Sequence, residues 1–155
     1  MASNLRSIQD AVANLSVSYT NEAGGSVTPT AKDINQMPSS VPAADVPIRL
    51  MGPISEGGNT DSFVFDAVGA NVEYTHTVTE LALIANAGLS QISVQLPDQV
   101  RYSDAIQSTL VSNRGIYTNC DITDGNATRK VTEFPPGSGE WWYSVLTEIT
   151  VRELA

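Results

Sequence analysis

Apolar positions recur along this chain with two periods, and each change of period marks a new element. Leu5, Ile8, Val12 and Leu15 stand three or four residues apart, the spacing of one helix face, which predicts a helix over residues 4–15 behind Ser3. A short β piece over 17–20 and a loop through Gly24, Gly25 and Pro29 follow. After a turn signal at Gly57-Gly58-Asn59, residues 63–68 and 72–84 are β-rich runs separated by Gly69-Ala70-Asn71, the pattern of a hairpin. The second run alternates Thr75, Thr77 and Thr79 against Tyr74, His76 and Val78, then becomes wholly apolar from Leu81 to Ile84. Such a strand begins partly exposed and ends buried, with Gly88 closing it.

From Ser90 the spacing lengthens again, through Ile92, Leu96 and Val100 to Tyr102, Ile106 and Leu110. This predicts the main helix, broken or kinked near Pro97 and stopped at Gly115. Strand character returns over 116–123 and 128–134 around a predicted turn at Asp124-Gly125-Asn126, before Pro135-Pro136-Gly137-Ser138-Gly139 interrupts it. The final run, 141–154, places Tyr143, Val145, Ile149 and Val151 on one face and Ser144, Glu148, Thr150 and Arg152 mainly on the other, a long terminal strand with one buried face. The expected fold is one α+β domain over residues 1–155: an antiparallel (mixed) sheet with helices packed on one face, an N-terminal helix, and one main helix after the central hairpin.

Between the first helix and the hairpin, Met37 to Pro53 reads MPSSVPAADVPIRLMGP and holds Pro38, Pro42, Pro47 and Pro53. Each ring fixes φ, removes a donor and pushes the preceding residue toward extended backbone, so neither a helix nor a central strand runs through. Its apolar residues, Met37, Val41, Val46, Ile48, Leu50 and Met51, are too dense for a solvated linker, so the arm is expected to lie against something. Pro47 to Met51 is expected to form a short strand, held by its proline to an edge or a strand start.

Composition narrows the function. The 155 residues match one domain in length, and a net charge of −9 opposes a role that neutralises phosphates. Sequence-specific nucleic-acid binding is not expected. The single Cys120 precludes an internal disulfide, the N-terminus lacks the apolar run of a signal peptide, and no segment approaches a membrane span. A soluble protein that stays in a cytoplasm is the expectation.

Candidate chemistry is sparse. His76 is the one histidine, so a Ser-His-Asp or Cys-His arrangement must use it, and its place between threonines in a strand suits a pairing or surface role better. One histidine and one cysteine without ligand spacing give no zinc site. Asp121 to Asn126 resembles a calcium loop only superficially, since its glycine falls one position early. Gly137-Ser138-Gly139 lacks the flanks of a dinucleotide turn. No catalytic residue, cofactor or metal is expected, and the protein is not read as an enzyme. Contact is the better purpose. Trp141-Trp142 cannot place both rings in one core, so one ring is expected on the outer face, covered by the arm or a helix of its own chain or else by a neighbouring subunit. Met37, Val41, Val46, Phe63, Phe65 and Trp142 are the candidate subunit-interface residues.

The segments SIQDAVANL, INQMPSSVPAADVPIRL, LPDQVRYSDAIQSTLVSN and WWYSVLTEITVRE, in this order and over nearly the whole chain, resemble tail terminator proteins of long-tailed bacteriophages. The resemblance is one of layout, without a diagnostic motif. It implies a homo-oligomeric ring, a hexamer, in the phage neck, assembled in the bacterial cytoplasm and carried in the virion. Such a ring caps the tail tube, touches the tail tube protein and the head connector or head-closure protein, and lets DNA pass through its channel, with no membrane partner. A capsid decoration protein, a head-closure or connector protein, and a small ligand-binding domain or enzyme are the alternatives.

Overall fold

The computed structural model describes residues 3–33, 37–52, 58–66, 71–88 and 92–154, with side chains described from residue 96 onward in its second helix. In chain order the elements are helix α1 (Leu5–Ala13), strands β1 (Tyr19–Thr20), β2 (Ser26–Val27), β3 (Thr30–Lys32), β4 (Ile48–Met51), β5 (Ser62–Phe65) and β6 (Val72–Asn86), helix α2 (Ile92–Ser112), and strands β7 (Cys120–Glu133) and β8 (Trp141–Leu154). β1 and β2 form a small ribbon of their own. The other strands make a mixed sheet in the order β3-β4-β6-β8-β7, parallel between β3 and β4 and antiparallel at the remaining described pairs. β4 pairs with residues 80–83 of β6 and β5 with residues 72–75, so both lie along the edge of β6 that faces away from β8. Between them Asp61 Oδ1 accepts the Thr77 N–H at 3.3 Å and Thr79 Oγ1 donates to Asn59 Oδ1 at 3.0 Å, closing the gap with side chains.

The fold class is therefore the expected α+β, with both helices on one face of the sheet. That face packs Ile8 and Val12 of α1 and Tyr102, Ile106 and Leu110 of α2 against Val78, Ala82, Val145, Ile149 and Val151. Each fully buried aliphatic side chain here contributes about 1.5–3 kcal/mol relative to exposure. α1 follows its three- and four-residue spacing. Only the second half of the α2 pattern enters the core, while Leu96 and Val100 stay exposed.

β8 lies at the centre of the sheet, and both its faces are buried, where one was expected. Trp142, Ser144 and Leu146 alternate with Val145, Thr147 and Ile149, and all are buried. The proline arm covers the second face. Val41 and Val46 pack with Ile48, Leu50, Leu81, Leu83, Trp142 and Leu146 in a second apolar cluster. β4 begins directly after Pro47, as expected, yet it pairs on both sides, with β3 and β6, because the proline stands just before the first paired residue.

Two further expectations need correction. Residues 120–133 are one continuous strand with a register irregularity between Ile122 and Asp124, where a turn at Asp124-Gly125-Asn126 was expected. The glycine and its polar neighbours lie beside a bulge, and thirteen residues paired with β8 override the local turn preference. α2 also runs through Pro97 as one helix, so the break that was one of the two expected effects of the proline is absent. The proline lies in its second turn, where one backbone donor is lost and the helix continues. The hairpin is present as the antiparallel pair β5–β6, while its Gly69-Ala70 tip, Pro53, Gly57 and Ser90 lie outside the described residues.

Candidate contact surface and the buried polar clusters

α1 is held against the sheet by a charged group at each end. At its C-terminal end Arg49, fully buried on β4, donates from Nη1 to Leu15 O at 2.6 Å and from Nη2 to Val12 O at 3.1 Å, and from Nε to Glu80 Oε1 at 2.6 Å. The Tyr102 hydroxyl of α2 donates to Glu80 Oε2 at 2.5 Å. Burial, and then the negative charge of Glu80, push the Tyr102 hydroxyl well above its ordinary pKa, so it remains a donor. At the N-terminal end Glu153 of β8 accepts the Asn4 N–H at 3.0 Å and its side-chain amide at 2.7 Å. A carboxylate at the start and a guanidinium at the end both match the helix dipole.

Glu153 also lies 2.9 Å from Nε2 of His76, whose Nδ1 is 3.4 Å from Asp61 and whose ring stacks on Tyr74. The sole histidine is thus a buried pairing residue. Burial raises the Glu153 pKa, but the bonds from Asn4 and the His76 side chain outweigh it and hold the carboxyl below its usual value. A depressed acid stabilises the fold above its unfolded pKa, about 4.3, and that contribution is lost as pH falls through the folded value. Glu153→Gln is therefore expected to cost about 1–3 kcal/mol at pH 7. In urea unfolding from pH 7 to pH 3 its stability should fall less steeply than that of the wild type. Parallel curves for the two proteins would reject the assignment of acid sensitivity to this carboxyl.

Cys120 is the cross-strand partner of Glu153, so sequence-distant His76 and Cys120 do meet around one carboxylate. They form no nucleophilic pair. The thiol donates to Thr118 O at 3.3 Å, and burial, followed by the charges of Glu153 and Asp121, pushes its pKa up to about 11. Such a thiol is the opposite of a thiolate nucleophile. Among the described residues no group of three or more His, Cys, Asp or Glu side chains could hold a metal ion, and no helix is long and apolar enough to cross a membrane.

The candidate interface residues separate into two groups. Val41, Val46 and Trp142 meet inside the second apolar cluster, and the Trp142 indole donates to Phe134 O at 3.0 Å. These three, named from the sequence as candidate subunit-interface residues, pack together within their own chain. Met37 remains exposed at the start of the arm, and of the paired tryptophans it is Trp141 that faces outward. Phe63, Val64 and Phe65 form the second group, with 63%, 64% and 60% of their surfaces exposed on β5. The two rings touch edge to face at 5.8 Å. Three consecutive exposed apolar residues on a strand whose outer edge has no described partner are the feature that most needs covering.

The buried clusters escape sequence reasoning because their members are 31 and 77 residues apart. A charged residue inside an otherwise apolar run, as Arg49 is in IRLM and Glu80 before LALI, was the available signal. No family model matches the chain, and no curated protein matches it.

Proposed function

We propose that this chain is a structural protein of the neck of a long-tailed bacteriophage, a tail terminator whose copies form a hexameric ring that caps the tail tube and joins it to the head connector. The observation that carries the reading is the exposed apolar strand β5 at the sheet edge. A ring of identical subunits needs one patch that meets a different patch on the next copy, and a strand edge bearing Phe63, Val64 and Phe65 is such a patch. The layout resemblance supplies the particular ring, and the net charge of −9 suits a channel that DNA traverses without sticking. The groups that meet in the interior, Arg49 with Glu80 and Glu153 with His76, anchor a helix, so what the surface offers is contact.

The test is negative-stain imaging of the purified protein together with its mass by light scattering. A six-fold ring with a central hole is the expected result. A monomer at every concentration would overturn the reading, and a trimer would assign the chain to capsid decoration instead.

A further inference from the structure

The ring reading leaves open what β5 meets, and the sheet itself offers an answer on its opposite edge. Phe63 is paired with Tyr74, Tyr74 with Glu153 and Glu153 with Cys120, so one row of residues crosses from β5 to β7. Two residues further along β7, at Ile122, begins a groove of about 230 Å³ between β7 and the end of α2, floored by Leu110, Ile122 and Ala127 and flanked by Val111 and Arg114. An apolar projection and an apolar groove thus stand on opposite edges of one sheet, the groove displaced two to seven residues along β7 from the row of Phe63.

They also share a face. Phe63 and Phe65 are paired with Tyr74 and Val72, which lie on the helix face of β6 together with His76 and Val78, and the groove opens on the helix face beside β7. Strand direction agrees as well. β5 is antiparallel to β6, β6 to β8 and β8 to β7, so β5 and β7 run oppositely within one chain. If the next copy keeps the same strand direction, its β5 meets β7 antiparallel, the more stable pairing. Charge is complementary too: Asp61 and Asp66 flank β5, and among the described residues Arg114 forms no ion pair in a chain of net charge −9. A cavity of about 150 Å³ accepts a benzene, so this groove takes one phenyl ring and leaves room for a water. The buried Thr147 hydroxyl, which has no hydrogen-bond partner and lines the groove, is a natural contact for that water.

We propose that copies of this chain join head to tail, β5 of one adding to the β7 edge of the next from Asp124 onward, with the Phe63 ring seated in the groove between α2 and β7 beside Gly125 and Ala127. Pairing starts there because Tyr117 and the Arg114 carbonyl already take outward backbone groups of Cys120 and Ile122. The contact is heterologous, so it continues from copy to copy until a ring closes. This rests on the ring reading and names its interface.

Cysteine cross-linking tests it on the full chain. Phe63 and Val111 are 63% and 71% exposed, so Phe63→Cys and Val111→Cys leave the fold intact. The double variant should give, on oxidation, a ladder of linked protomers up to the full ring on a non-reducing gel, while a mixture of the two single variants should stop at dimers. Phe63→Ala should raise the concentration needed for assembly about tenfold or more. A wild type that assembles while the double variant gives no ladder overturns this interface and leaves the ring reading standing. Dimers from Phe63→Cys alone overturn it in favour of a two-fold edge pairing. A wild type that never assembles overturns both readings.

Discussion

Replacement of Arg49 by methionine lowers the free energy of unfolding by about 3–5 kcal/mol, the cost of leaving the partner of a buried ion pair behind. Arg49 and Glu80 are almost wholly inaccessible, and in the variant Glu80 keeps only the Tyr102 hydroxyl, while Leu15 O loses the guanidinium and Val12 O keeps only the Leu15 N–H. Methionine fills the volume of the arginine stem, so the loss reports charge and hydrogen bonding rather than a cavity. The double variant Arg49→Met/Glu80→Leu removes both charges and should be more stable than Arg49→Met alone, because no carboxylate then remains buried without its cation. Urea unfolding of the wild type and the three variants closes the cycle. Additive losses from Arg49→Met and Glu80→Leu would show that the two groups are not energetically coupled.

These losses exceed those expected at the surface ion pairs Arg152–Glu73 and Arg101–Glu22, which are exposed and screened by solvent. The contrast follows from placement. Arg49 and Glu153 bracket α1, a helix of nine residues that is too short to be stable alone and depends on its contacts with the sheet. Losing either anchor is expected to free that end of the helix first, with Ile8 and Val12 leaving the core as it goes.

Where the chain was legible and where it was not follows from the range of the interactions involved. β8, α1 and the β5–β6 hairpin could be read because alternation and helical spacing are local properties of the strands and helices they specify. β7 was misread because its Asp-Gly-Asn segment signals a turn locally, whereas its conformation is set by pairing with a strand that begins eight residues after it ends. The burial of both faces of β8 was not legible for a similar reason. Ser144 and Thr147 look like solvent-facing residues, and only the arm on one side and the helices on the other make them interior. The same limit hid the clusters around Glu80 and Glu153, whose partners arrive from β4 and α2 in the first case and from Asn4 before α1 and from β6 in the second. Among the candidate contact residues, exposure divides what sequence grouped together: Phe63 and Phe65 lie on an open edge, while Val41 and Val46 of the arm pack inward with Trp142.

Trp142→Ala is expected to lower the unfolding free energy by about 3–5 kcal/mol while leaving the assembled mass unchanged. The indole is fully buried between the arm and the sheet, touching the cluster of Val41, Ile48, Leu50, Leu83 and Leu146, and its N–H satisfies Phe134 O. Alanine leaves a large cavity and an unpaired carbonyl, and the prolines on either side of Val41 restrict the arm from collapsing into the space. Trp142→Phe keeps most of the volume and loses only the hydrogen bond, so its cost should be about 1–2 kcal/mol. Light scattering under native conditions separates this from a contact role, because an intersubunit anchor would lose mass on truncation at concentrations where the protomer is still folded. If Trp142→Ala dissociates the assembly without lowering the melting temperature, the arm belongs to the interface after all. If it lowers the melting temperature at constant mass while Phe63→Ala does the reverse, β5 is the surface that subunits share.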